Sequence, residues 1–196
     1  MNADAADNER FQFFLRHRDD IREWASIERE VVAAIRELLG GLEPEIGERI
    51  GAFDATAETT RHDGGRYERI LVRRPDWPVG VGVTPEWESN VDPFGGSLPK
   101  WGIFFVNADP ALLPARQAIA AAGRASSLTK AAGYKPGDSY WPIVQFVAKS
   151  ATWWQDPEAW LAPITDAVVD LWPLAAPMID EGLGAASGTS PASAGD

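Results

Sequence analysis

The chain contains no cysteine. This absence excludes disulfide bonds, thiolate zinc sites, iron–sulfur clusters and cysteine nucleophiles, and with them several classes of enzyme. Histidine is also scarce, since His17 and His62 are the only two in 196 residues. Neither has neighbours at a spacing typical of a zinc site, so both are predicted to be ordinary surface residues.

Long apolar runs are missing as well. No stretch approaches the roughly 20 apolar residues that span a bilayer. The N-terminal segment MNADAADNER is acidic, whereas the corresponding part of a signal peptide is basic, and no apolar segment of the signal-peptide type follows it. The sequence therefore predicts a cytoplasmic protein without membrane association.

Basic residues are outnumbered, with 18 lysines and arginines against 29 acidic residues and a formal net charge of −11. Nonspecific nucleic-acid binding depends on clustered lysine and arginine, so nucleic acid is not expected as a direct nonspecific ligand. An acidic surface suits a basic protein partner, because complementary charge steers association.

Motifs for common cofactors and hydrolases are absent. The pair Gly80-Val81-Gly82 lacks the third glycine of the dinucleotide fingerprint, and Pro85 stands in its place. The sequence has no GxxxxGKS/T loop, and the run GGSLP at 95–99 does not form the GxSxG elbow. No cofactor is predicted.

Helical periodicity dominates the N-terminal part of the chain. One stripe of a helix is formed by Trp24, Ile27, Val31, Ala34, Ile35 and Leu38. Asp19-Asp20 is expected to begin this helix and Gly40-Gly41 to end it, with a short second helix from Pro44 to Phe53. The apolar residues just upstream either extend the helix or form an apolar arm: Phe11, Phe13, Phe14 and Leu15. Residues 56–65 are predicted to be a polar connection.

Strand patterns follow at 67–74, 79–83, 101–106 and 141–147. A helix is expected from Asp109-Pro110 to Gly123, a loop at 124–139, and a C-terminal helix that begins at Asp156-Pro157 and is kinked by internal prolines. The predicted fold is α+β, with an antiparallel sheet of about four strands packed against the long N-terminal helix and the kinked C-terminal helix. Residues 1–183 are predicted to form one domain, and 184–196 a disordered tail.

The nine tryptophans are the most distinctive positive feature. Most fit core positions on the predicted strands and helices. Trp153 and Trp154 are adjacent, so both cannot easily point inward, and Trp77 and Phe94 lie in predicted loops. These four residues are predicted to form an aromatic binding surface.

Acidic residues alternate at the end of the second predicted strand. Glu86 and Glu88 face the same side of an extended strand, and Asp92 follows in the next loop. Their carboxylates could share a Mg²⁺ ion or divide acid and base roles. The alternative is that they face water at a strand end.

Four segments carry a family resemblance: VGVGVTPEWES, WGIFFV, YWPIVQF and WWQDPEAWLAPITDAVVDLWPLAAPMIDEGL. Together they resemble the C-terminal accessory region of uncharacterised, defence-associated bacterial proteins of the PD-(D/E)XK nuclease superfamily, over residues 66–183. Nucleases of that superfamily need an acidic residue two positions before a lysine. None of the lysines at 100, 130, 135 and 149 follows an acid in this way, so the resemblance implies an accessory part without the nuclease motif and carries over no catalytic residue.

Three functions are consistent with these features. The preferred one is a non-enzymatic protein-interaction module, such as an inhibitor, an immunity protein or a defence-associated accessory protein with a basic partner. The second is a divergent nuclease-like enzyme with a metal bound by carboxylates. The third is a small-ligand or nucleotide-binding module that uses the tryptophan surface.

Overall fold

The computed structural model describes residues 9–89, 99–106, 110–126, 130, 133–137, 140–147 and 156–188. Within these residues the helices are α1 (Glu9–Arg16), α2 (Arg18–Ile50), α3 (Leu113–Ala125), α4 (Pro157–Leu161) and α5 (Pro163–Gly188). The strands are β1 (Thr56–His62), β2 (Tyr67–Arg73), β3 (Val81–Glu88), β4 (Lys100–Phe105), β5 (Lys135–Pro136) and β6 (Ile143–Phe146).

These strands form one sheet in the order β1-β2-β3-β4-β6-β5, and every pair of neighbours is antiparallel. Helix α2 packs on β1, α5 packs on β3 and β4, and α3 packs on α5. The predicted α+β class is confirmed, as are the antiparallel sheet, the long N-terminal helix and the kinked C-terminal helix. None of the helices in the described residues has the length and apolar content that crossing a membrane requires.

The main core lies between one face of the sheet and the helices. The alternation of the strands directs every second side chain to this face. Its fully or nearly fully buried members include Ile70, Val72, Val81, Val83, Trp87, Trp101, Ile103 and Phe105 from the sheet, and Ile35, Leu39, Ile46, Ile50, Ile164, Leu171 and Trp172 from the helices. The opposite face of the sheet carries a second buried cluster of Phe104, Trp141 and Val144.

Helix α2 continues beyond its predicted end. It passes through Gly40-Gly41 and through Pro44, so the predicted helix at Pro44–Phe53 is largely a continuation of α2. The physical reason is burial: the spacing of 35, 39, 42, 46 and 50 keeps five apolar side chains on one stripe against the core. Burying that stripe outweighs the cost of two glycines, about 1 kcal/mol each.

Two other local predictions were wrong. Residues 56–65 are not only a connection, because Thr56–His62 forms edge strand β1, which pairs with β2 along its whole length. The segment 124–139 contains β5, which pairs with β6. At the C-terminus, α5 extends to Gly188, past the predicted start of the tail at 184, and residues 189–196 lie outside the described residues.

Candidate functional site

Trp77 is part of the core. Its side chain is 4% exposed, its ring lies 5.3 Å from the ring of Trp172, and its indole nitrogen donates a hydrogen bond of 2.8 Å to Asp180 on α5. The same carboxylate pairs with Arg74. The prediction that Trp77 belongs to an exposed aromatic surface is therefore wrong, because the turn between β2 and β3 folds onto α5.

The other members of the predicted aromatic surface, Phe94, Trp153 and Trp154, lie outside the described residues, as does Asp92 of the predicted carboxylate cluster. A surface formed by those three aromatic residues stays a prediction.

Glu86 lies between two cations. It stands opposite Arg69 of β2 and Lys100 of β4 in the sheet register. Its carboxylate oxygens lie 3.2 Å from Nη2 of Arg69 and 3.0 Å from Nζ of Lys100, and its side chain is 3% exposed. We call Arg69, Glu86 and Lys100 the ion cluster.

Glu88 lies on the same side of β3, as the alternation predicts, but it is directed to Arg66 at 3.3 Å. Within the described parts of the chain no three histidine or acidic side chains converge on a point that could hold a metal ion. Two cations next to Glu86 would repel a divalent ion, so the geometry favours an ion-pair role for this carboxylate over a metal-binding one.

Aromatic rings surround the ion cluster. The guanidinium of Arg69 lies 3.9 Å from the ring centroid of Phe104, and Nζ of Lys100 lies 4.6 Å from that of Trp141. Nε and Nη2 of Arg69 are buried without a hydrogen bond, so the contact between Nη2 and Glu86 is an ion pair that lacks hydrogen-bond geometry. Burial lowers the pKa of Arg69 to about 10, although nearby Glu86 acts in the opposite direction. The cluster is thus a charged element inside an apolar layer, held together by cross-strand neighbours.

Tyr134 is a partly buried ionisable group that packs against the main core. Its hydroxyl accepts a hydrogen bond of 3.1 Å from the indole of Trp101 on β4. Burial is the main reason that the pKa of Tyr134 is raised to about 12 from its ordinary value of 10.0.

We expect Tyr134 to make stability sensitive to alkaline pH. The pKa of Tyr134 is higher in the folded chain than in the unfolded chain. Its contribution to the free energy of unfolding is therefore complete below pH 10 and is lost as the pH rises towards 12. Urea unfolding of the wild type and of Tyr134→Phe, each below pH 10 and near pH 12, measures this contribution. Arg69 has the opposite pH dependence, but it is present in both proteins and cancels in the difference between their free energies of unfolding. A difference that does not change with pH would contradict the assignment.

Helix α1 and the first turns of α2 extend away from the core, which the helix first meets at the partly buried Val31. Helix α1 has no buried residue, and the first buried residue of α2 is Ile35. We call residues 9–31 the arm. The amide of His17 donates to the carbonyl of Phe13, and the amide of Ile21 donates to that of His17, so the helical hydrogen bonding continues between α1 and α2.

Large apolar side chains are exposed along the arm. Trp24 is 66% exposed, and the others are Phe11, Phe13, Phe14, Leu15 and Ile27. The sequence places Trp24 and Ile27 on the same stripe as Ile35, and the structure buries only the C-terminal part of that stripe. The sequence left open whether Phe11, Phe13, Phe14 and Leu15 extend the helix or form an apolar arm, and in the structure they lie on the short exposed helix α1, which is separated from α2 at His17.

A groove with acidic walls lies at the base of the arm, between α2 and the start of α4. Its volume is about 810 Å³. The apolar residues Leu38, Leu42 and Leu161 line it together with four carboxylate residues, Glu37, Glu45, Asp156 and Glu158. No lysine or arginine is among the described residues that line it. We call this feature the acidic groove.

One residue that lines this groove was predicted to begin a helix. Asp156 was predicted as a helix N-cap, and its carboxylate does accept the amide hydrogen of Ala159 at 2.9 Å. The groove itself was not predicted, because it depends on α2 and α4, which are more than 100 residues apart in the chain, lying side by side.

Comparisons with protein-family models, with curated proteins and with solved structures found no match.

Proposed function

We propose that the chain is a protein-interaction module that binds its partner through the arm. The observation that carries this proposal is the exposure of six large apolar side chains within residues 9–31. Large exposed apolar side chains along a helix are typical of a docking face, because a helix can place such side chains in a groove of its partner.

Charge supports a partner with basic side chains. The protein has a net charge of −11, and the acidic groove adjoins the arm. Basic groups next to an apolar contact would be attracted to the groove. An inhibitor, an immunity protein or a defence-associated accessory protein would use a surface of this kind.

A cross-linking experiment tests the proposal. A photo-activated cross-linking amino acid at position 24, on the arm, is expected to give a discrete cross-linked product in cells. The control is the same amino acid at position 79, where Val79 is 80% exposed in the turn before β3 and outside the arm. The proposal fails if position 24 gives no product, or no more than position 79.

A further inference from the structure

We infer that the partner of the arm is a helix of another protein that carries lysine or arginine at one end. This rests on the proposed function and names the chemistry of the partner. The partner helix lies along α2, with apolar residues on the arm and its basic end in the acidic groove.

The arm and the acidic groove share one face of α2. Successive residues on this face are three or four positions apart, the spacing that makes side chains neighbours along a helix. We call these residues the docking face: Trp24, Ile27, Val31, Ala34, Leu38, Gly41 and Glu45. The last four of them line the acidic groove. A partner that follows this face from the arm therefore enters the groove.

Most of the docking face is accessible. Val31 and Leu38 are partly buried and pack against the core, whereas the other five members are exposed. A Cβ added at Gly41 would meet no atom within 4 Å, so the space above this position is open. Because Ala34 and Gly41 are small, the backbone of a partner can come close to α2 inside the groove.

The shape of the docking face favours a helix as its occupant. From Trp24 to Glu45 the face extends over about 32 Å, at roughly 1.5 Å of rise per residue. Backbone groups along an α-helix are paired with one another, so α2 offers few hydrogen bonds to an extended segment. A partner helix satisfies its own backbone and contributes side chains, as an amphipathic helix does when it binds an apolar groove.

Charge favours a basic end at the groove. The side chains of Glu37, Glu45 and Glu158 line the groove and form no ion pair within the part of the chain that the structure describes. A lysine or arginine there would meet carboxylates that no cation of this chain neutralises. Two copies of a chain with a net charge of −11 repel each other, which favours another protein as the source of the helix.

The arm end of the docking face makes no such demand. Residues of both signs flank Trp24 and Ile27: Arg22, Glu23, Glu28 and Arg29. Apolar contact therefore dominates at this end, and basic side chains are needed only at the other end of the partner helix.

Cross-linking from two positions of the docking face tests the inference. The photo-activated amino acid is placed at position 24, and in a second protein at position 34, where Ala34 is exposed in the groove. Both positions should give a product of the same mass. Mass spectrometry should find the two cross-links about ten residues apart in one segment of the partner, with at least two lysines or arginines near the link from position 34.

Position 33 is the matched control. Ala33 and Ala34 are adjacent alanines and both are exposed, but Ala33 does not line the groove and lies about 100° further round the helix. It should give at least about fivefold less product than position 34.

Charge reversal tests the basic end. Glu45→Lys with Glu158→Lys should lower the yield from position 24 by at least about fivefold, because the basic end of the partner then meets cations. The control, Glu58→Lys with Asp76→Lys, makes the same change of charge at exposed positions outside the arm and the groove and should leave the yield unchanged.

Four results would each overturn the inference: no more product from position 34 than from position 33, a cross-linked segment without basic residues, a yield that the groove variant does not change, or a product of twice the chain mass of 21.3 kDa, which would put a second copy on this face. A product from position 24 alongside any of them would leave the proposed function standing. Absence of a product from position 24 would remove both.

Discussion

Glu86→Gln is expected to lower the free energy of unfolding by about 3–5 kcal/mol, the cost of removing one partner from a buried ion pair. Glu86 is 3% exposed and is the carboxylate that both Arg69 and Lys100 approach in the ion cluster. The neutral amide would keep the shape of the side chain but leave the buried Arg69, and the partly exposed Lys100, without their counter-charge. Buried charge of one sign is costly because the protein interior screens it poorly.

Urea unfolding at neutral pH measures the effect. Glu88→Gln is the matched control, because it makes the same chemical change on the same side of β3. The partner of Glu88, Arg66, is 62% exposed. An exposed pair contributes at most about 1 kcal/mol. Similar losses for the two variants would show that Glu86 is not the central counter-charge of this layer.

A second variant separates charge from packing. Arg69→Met combined with Glu86→Leu replaces the buried pair with apolar side chains and should recover part of the stability lost in Glu86→Gln. If the double variant is no more stable than Glu86→Gln, hydrogen bonding and shape at this position matter more than the unpaired charge.

The ion cluster also shows what the sequence alone could and could not indicate. Alternation along β3 correctly predicted that Glu86 and Glu88 share a side of the strand. It could not predict their partners, because Arg69 and Lys100 come from neighbouring strands whose register is set by the folded sheet. A carboxylate pair therefore looked like a metal site when the cations opposite it were unknown.

Helix α2 illustrates a different limit. The stripe of apolar residues predicted the helix, but the local signals Gly40-Gly41 and Pro44 predicted its end in the wrong place, because burial of Ile46 and Ile50 against the core outweighs local propensity. The same periodicity could not indicate which residues of the stripe are exposed and which are buried. Trp24 and Ile35 occupy one stripe, yet only Ile35 has core residues to pack against.

Exposure is therefore the property that separates the tryptophans of this chain. Trp77 was predicted to be exposed because it lies in a turn rich in proline, and it is buried because α5 covers that turn and Asp180 accepts its indole hydrogen. Trp24 was predicted to lie on the apolar stripe of a helix, and it is 66% exposed because the helix continues past the edge of the core. This difference has a direct energetic consequence.

Trp77→Ala is expected to lower the free energy of unfolding by about 3–5 kcal/mol, the usual range when a large aromatic side chain is removed from a core. The loss has two parts: a cavity beside Trp172 and the missing hydrogen bond to Asp180. Trp77→Phe keeps an aromatic ring but removes the donor and part of the ring volume, so its loss should be smaller than that of Trp77→Ala. Urea unfolding followed by circular dichroism determines both values.

Trp24→Ala should change the stability of the monomer by no more than about 0.5 kcal/mol, since an exposed side chain loses few contacts. Any further loss should appear only when the partner of the arm is present, because a substitution that weakens binding lowers only the part of the stability that binding contributes. The loss in Trp77→Ala should instead be found without the partner. Equal losses for the two variants in the purified protein would mean that the arm packs on the core, and the surface proposed for binding would not be free to bind.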